Sequence, residues 1–102
     1  CVQPDQVLDA ALEAIASNIP QIIIITAGVP PLDMVQLLRK TEADETLIIG
    51  PNSPGIIVPG KIILGTQERE FYIPGSVGIV SRSSTLTYEL AWELTKVGLG
   101  QS

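Results

Sequence analysis

The chain has 102 residues, a formal net charge of −5 and a hydrophobic share of 45%. Its six basic residues (Arg39, Lys40, Lys61, Arg69, Arg82 and Lys96) form no cluster, so the positive face that neutralises nucleic-acid phosphates is missing. The absence of histidine excludes a Ser–His–Asp triad, a His-ligated zinc and a histidine general base, and the single Cys1 excludes an internal disulfide.

The longest apolar runs, such as residues 22–25, are far too short to cross a bilayer. No basic start, long apolar stretch and small-residue cleavage site mark a signal peptide. A positive mean hydropathy predicts strands buried on both faces. So small a domain covers such strands poorly, which predicts a piece of a larger fold.

In chain order, Pro4 and Asp5 predict a helix start with Asp5 as N-cap. Val7, Leu8, Ala11, Leu12 and Ile15 follow at helical spacing, and Asn18 with Pro20 closes the segment. Residues 21–26 (QIIIIT) are β-branched without alternation and predict a central parallel strand. Gly28, Pro30 and Pro31 open a second helix whose apolar side is Leu32, Met34, Val35, Leu37 and Leu38. Residues 46–49 predict a second buried strand, giving the alternation of a doubly wound α/β sheet.

Residues 50–55 (GPNSPG) form a stiff loop, rich in proline and glycine. Residues 56–75 hold short strands at 56–58, 61–64 and 71–73, and composition places a domain junction there. A third buried strand is predicted at residues 76–80. A helix follows from residues 81–85 to about Lys96, with Gly98 as its C-terminal cap. The chain opens where a strand finishes and stops where the next one is due, so it reads as a fragment.

Ligands in open α/β sheets collect at the carboxyl ends of strands. Residues 26–30, 50–55 and 81–85 occupy such ends. At the last of these, Ser83, Ser84 and Thr85 set three hydroxyls and free amides at a helix N-terminus, where the dipole favours an anion. A plain Ser/Thr cap accounts for the same residues. Thr26 and Gly28 fit either an ordinary turn or contact with a nucleotide or coenzyme A (CoA). Asn52 and Ser53 belong to a loop whose prolines mainly fix shape. Leu86, Leu90, Leu94 and Val97 form the predicted packed stripe of the last helix. Tyr88 lies about 160° from its centre, with Trp92 one turn on, so this second face is either a packing surface or a binding wall. Glu89 is a first-turn carboxylate favoured by the helix dipole.

Seven collinear stretches together resemble the α subunit of succinate–CoA ligase: ITAGVP (25–30) with LDM (32–34), GPNSPG (50–55), VPG (58–60), PG (74–75), VGIVSRS (77–83), TLTYE (85–89) and KVGLGQS (96–102). The resemblance implies the end of a Rossmann-like CoA-binding domain at residues 1–56. It further implies a junction at 57–75 and the start of a flavodoxin-like ligase domain at 76–102. It implies an enzyme that converts succinate, CoA and a nucleoside triphosphate into succinyl-CoA through a phosphohistidine lying outside this chain.

By the same resemblance, Ile25, Thr26 and Ala27 match a CoA-contacting segment. Ser83, Ser84 and Thr85 match a phosphate-holding helix N-terminus, and Tyr88 matches a succinate-site tyrosine. CoA is then a substrate, ATP or GTP with Mg2+ sits on a β-subunit partner, and no nucleic acid or membrane is involved. The implied compartment is the cytoplasm, or the mitochondrial matrix in a eukaryote. The chain departs from the family at Ala27 (usually glutamate), Ser53 (usually cysteine) and Ser84 (usually glycine), and residues 61–73 lack the usual histidines. The alternatives are a related acyl-CoA ligase or citrate-cleaving enzyme, and a non-catalytic CoA-binding regulatory paralogue.

Overall fold

A computed structural model of the chain describes residues 2–102, leaving Cys1 and the disulfide exclusion drawn from it outside the described residues. The fold is mixed α/β, in two compact units that meet in sequence between Ser53 and Pro54.

In the first unit, Pro4–Gln6 is a 3-10 turn that runs into helix α1, Val7–Ala16. The expected Asp5 cap is therefore corrected: Gln3 caps the turn, its amide donating to Gln6 Oε1 at 3.4 Å, because Pro4 already fixes the first helical position. Val7, Ala11 and Ile15 recur every four residues and bury one face of α1. Strand β1 is Gln21–Ile23, helix α2 is Pro31–Ala43 and strand β2 is Leu47–Ile49. β1 and β2 pair in parallel with Ile22 opposite Ile48, as a βαβ unit requires. Among the described residues β1 has this one neighbour, and regular pairing ends at Ile23 rather than Thr26.

The core joins Val7, Ala11, Ile15, Ile24 and Leu37, with Leu8, Met34 and Ile48 packed against it. On α2 only Leu37 and Thr41 are buried, whereas Leu32, Val35 and Leu38 stay exposed. The predicted apolar side is thus wider than the surface that α1 and β2 offer it. The Thr41 hydroxyl satisfies itself locally by donating to the Leu38 carbonyl at 2.8 Å.

The second unit opens with strands β3, Gly55–Val58, and β4, Ile62–Gly65, an antiparallel hairpin. Its turn places Gly60 at φ +77° after Pro59, and the Lys61 amide closes onto the Val58 carbonyl at 2.9 Å. That is the residue order of a type II turn, in which the third position favours glycine. Arg69–Phe71 is a 3-10 turn, which corrects the strand expected at 71–73. Its tip carries Phe71 onto the ring of Trp92, at a centroid distance of 5.2 Å.

Strand β5 is Pro74–Val77, earlier than the predicted 76–80, and helix α3 is Ser84–Lys96. Gln101 bridges β5 in parallel at Pro74 and Val77. β5 is mostly exposed rather than buried, since that bridge is its one partner among the described residues, and Val80 is 102% exposed.

The stripe predicted to pack on α3 is also corrected. Leu86 is 66% exposed and Leu90 and Val97 are exposed too, while Ala91 is fully buried. Alanine lets the helix backbone come close, so the Gln101 side chain reaches the Ala91 carbonyl, donating at 3.0 Å. Gln101 Oε1 also accepts from the Ile73 amide at 3.2 Å. A buried polar side chain thus ties α3 to the residue that precedes β5.

Candidate functional site

The first candidate region lies at the carboxyl ends of β1 and β2. Beyond Ile23 the chain continues alongside the loop after β2. The Ile24 amide donates to the Ile49 carbonyl at 2.8 Å, the Ser53 amide to the Ile24 carbonyl at 3.3 Å and the Asn52 amide to the Thr26 carbonyl at 3.0 Å. The structure therefore brings Thr26, with Ile25 before it, alongside the loop residues Asn52 and Ser53, while no bond to that loop involves Ala27 among the described residues. Gly50 permits this approach: it sits at φ +106°, and a Cβ there would lie 2.3 Å from the Ile24 carbonyl oxygen. Gly50–Pro51 is a cis peptide.

The Thr26 hydroxyl donates to the Val2 carbonyl at 3.1 Å, and Ala27 is exposed with no functional group on its side chain. Contact through Ala27 would be through backbone alone. An apolar cavity of about 210 Å³ reaches Ile25 and Thr26 from Val7, Ala11 and Ile22.

The second region is the turn that opens α3. Ser83 is its N-cap: the Ser83 hydroxyl accepts from the Leu86 amide at 3.3 Å. Ser81 Oγ both accepts from the Ser83 amide and donates to the Ser83 carbonyl, each at 3.0 Å. Thr87 Oγ1 donates to the same carbonyl at 2.7 Å. The turn is thus held by its own hydroxyls. Of the three predicted anion ligands, Ser83 is engaged in capping. The Ser84 and Thr85 amides and hydroxyls have no partner among the described residues, and Thr85 is exposed. Arg82 beside them is exposed. Unused donors, a helix dipole and an adjacent cation suit a negatively charged oxygen.

Tyr88 lies on α3 beyond this turn. Its ring meets Phe71 edge-on at 6.3 Å and 78°, and its hydroxyl donates to the Thr66 carbonyl at 3.3 Å. The Thr66 hydroxyl is also 3.3 Å away. Phe71, Tyr88 and Trp92 form one aromatic group, and Lys96 stands 5.8 Å above the Trp92 ring. The second face of α3 is therefore packed, with the Tyr88 phenol engaged at its edge.

Sequence reasoning missed Thr66 and Phe71, whose roles depend on a fold-back with no local periodic signal. It also missed Tyr72, which is buried with a hydroxyl that finds no partner among the described residues. Burial, with a smaller contribution from Tyr88, raises the Tyr72 pKa above the ordinary 10. Folding then favours the protonated phenol, so its contribution to stability is complete below pH 10 and declines as pH rises through the folded-state value. Tyr72→Phe is expected to be neutral or stabilising by up to about 1 kcal/mol at pH 7, because it deletes an unsatisfied buried hydroxyl. The gap in denaturation midpoint between variant and parent should widen above pH 10.

Among the described residues no group of three His, Cys, Asp or Glu side chains could hold a metal, and no helix is long and apolar enough to cross a membrane. No protein-family model matches the chain. Curated relatives do. The chain is 49% identical over 94 residues to succinate–CoA ligase [ADP-forming] subunit alpha 2 of Archaeoglobus fulgidus, covering 92% of this chain and 33% of that protein. It is 44% identical over 97 residues to the corresponding alpha subunit of Aquifex aeolicus, covering 92% and 32%. It is 40% identical over 105 residues to malate–CoA ligase subunit alpha of Methylorubrum extorquens, covering 99% and 36%.

These likenesses place the chain among the α subunits of carboxylate–CoA ligases. More narrowly, it belongs to the succinate–CoA ligase α-subunit family. The chain spans about a third of the length of the curated relatives it matches.

Proposed function

We propose that this chain is part of the α subunit of a nucleoside-diphosphate-forming carboxylate–CoA ligase with succinate as substrate. Residues up to about 56 are the later part of a Rossmann-like CoA-binding domain. Residues from about 76 begin a flavodoxin-like ligase domain. In the complete enzyme a histidine outside this chain takes the phosphoryl group from acyl phosphate or nucleotide, becoming a phosphohistidine, and a β subunit holds the nucleotide with its Mg2+. The compartment would be the cytoplasm, or the mitochondrial matrix in a eukaryote.

The observation that carries the proposal is the open turn before α3, where the Ser84 and Thr85 amides are unused. Their role would be to hold a transferring phosphoryl group and to offset its charge, since phosphoryl transfer rests on positioning and electrostatics. The residues at 25–27, beside the loop at 50–53, would meet CoA mainly through backbone groups. Tyr88 would line the carboxylate substrate's site by exchanging its contact with Thr66 for one to the substrate.

The malate–CoA relative matches nearly the whole chain, so a hydroxylated dicarboxylate is the second substrate reading. Ala27 and Ser84 would fit a non-catalytic CoA-binding paralogue instead.

The test is CoA- and carboxylate-dependent release of nucleoside diphosphate by the full-length protein with its partner subunit. Succinate should support turnover; activity with malate alone would select the second reading, and none with either acid would refute the enzyme. Tyr88→Phe is expected to raise the KM for the acid about tenfold, the value of one hydrogen bond to a charged group, with the KM for CoA unchanged. Equal changes in both would remove Tyr88 from the acid site.

A further inference from the structure

The second unit carries a cavity of about 260 Å³ against the β3–β4 hairpin, and none of its lining residues belongs to 25–27, 83–85 or Tyr88. Ile57, Ile62 and Ile63 supply its apolar wall, and Lys61, Arg69 and Tyr72 supply its polar groups. Neither Lys61 nor Arg69 has an ion-pair partner among the described residues, whereas Lys40 pairs with Asp44 and Lys96 with Glu93. Tyr72 is 7% exposed and its hydroxyl has no hydrogen-bond partner there.

Two cations and an unsatisfied phenol lining one small cavity share a single deficit, an anionic oxygen acceptor. The cations repel each other, and a buried hydroxyl without a partner costs about 1–3 kcal/mol. An adjoining open cleft shares Arg69 and Tyr72 and adds Glu68 and Glu70 to its lining. Those carboxylates disfavour a second negative charge on the ligand.

We infer that this cavity binds a small monocarboxylate with a short aliphatic chain. Its carboxylate is held by Lys61, the planar fork of Arg69 and the Tyr72 hydroxyl, and its chain lies on Ile57, Ile62 and Ile63. The site is separate from the proposed phosphate and dicarboxylate sites and does not depend on them.

Titration calorimetry of hexanoate into the full-length protein tests it. Saturable binding is expected, weakened about tenfold by Lys61→Gln or Arg69→Gln and several-fold by Tyr72→Phe, in proportion to the charged hydrogen bonds removed. Both cations are exposed, so Lys61→Gln and Arg69→Gln should keep the parent's melting temperature, and Tyr72→Phe, which deletes a hydroxyl unpaired among the described residues, should match or exceed it. Inorganic phosphate and succinate should not displace hexanoate. No heat with hexanoate, unaltered affinity in the three variants, or displacement by phosphate at equal concentration would each overturn the assignment.

Discussion

Replacing Ser84 by proline is expected to leave α3 folded while slowing phosphoryl transfer in the full-length enzyme about a hundredfold. Ser84 is the first helical residue, a position where proline is well accepted because its missing N–H has no helical partner. The preceding Ser83 has φ −116° and ψ 119°, within the extended region that a following proline demands. The substitution therefore removes one amide and one hydroxyl from the turn and little else. Loss of a single preorganised donor to a developing oxyanion costs about a hundredfold or more in rate. Ser84→Ala keeps the amide and should cost only a few-fold. Rapid-quench measurement of phosphate transfer in the three proteins gives the comparison. Equal rates in parent and proline variant would remove the amide from the chemistry.

A large loss of stability is expected at Gly100. A Cβ built there would lie 2.2 Å from the Pro74 carbonyl oxygen and 2.5 Å from that of Ile73. These are backbone atoms of β5 and the residue before it, so no side chain can swing aside. The chain passes this close because the Val77 amide donates to the Gly100 carbonyl at 3.0 Å and the Gln101 amide to the Ile73 carbonyl at 2.8 Å. Gly100→Ala must push the two segments apart, losing these bonds and withdrawing Gln101 from Ala91. A destabilisation of about 3 kcal/mol is expected, at the upper end for overpacking. Denaturant unfolding of the full-length protein should show it as a lowered midpoint. Glycine at 100 thus has a packing reason that its sequence neighbours do not reveal.

Legibility in the sequence followed how local each cause was. Val7, Ala11 and Ile15 declare the buried face of α1 by spacing alone, and the isoleucine run gave β1 and its parallel partner. The short strands expected at 56–58 and 61–64 match β3 and β4, and Gly98 at φ +76° follows α3 as anticipated. The same spacing misled for Leu86, Leu90 and Val97, since periodicity reports a stripe but not whether anything covers it. Phe71 reads as a strand residue by propensity but sits on a 3-10 turn that meets Tyr88 and Trp92.

At the candidate sites, the turn at 81–85 was visible because serines and threonines before a helix are a local signal. The division of labour within it was not: Ser83 caps, while Ser84 and Thr85 keep their donors unused. The joining of residues 24–26 to the loop at 50–53 required parallel pairing across an intervening helix, which neither segment encodes by itself. Tyr72 and Gln101 were silent for the same reason. One has a buried hydroxyl without a partner among the described residues, and the other bonds residues 28 and 10 positions away.

The central claim, that the amides opening α3 cradle an oxyanion, is tested most directly by following their 1H–15N signals in the isotope-labelled full-length α subunit. Inorganic phosphate should move the Ser84 and Thr85 signals downfield along a saturable curve, and Ser84→Pro should weaken the response at Thr85. Signals at 84 and 85 that stay fixed while others in the subunit shift would contradict the account.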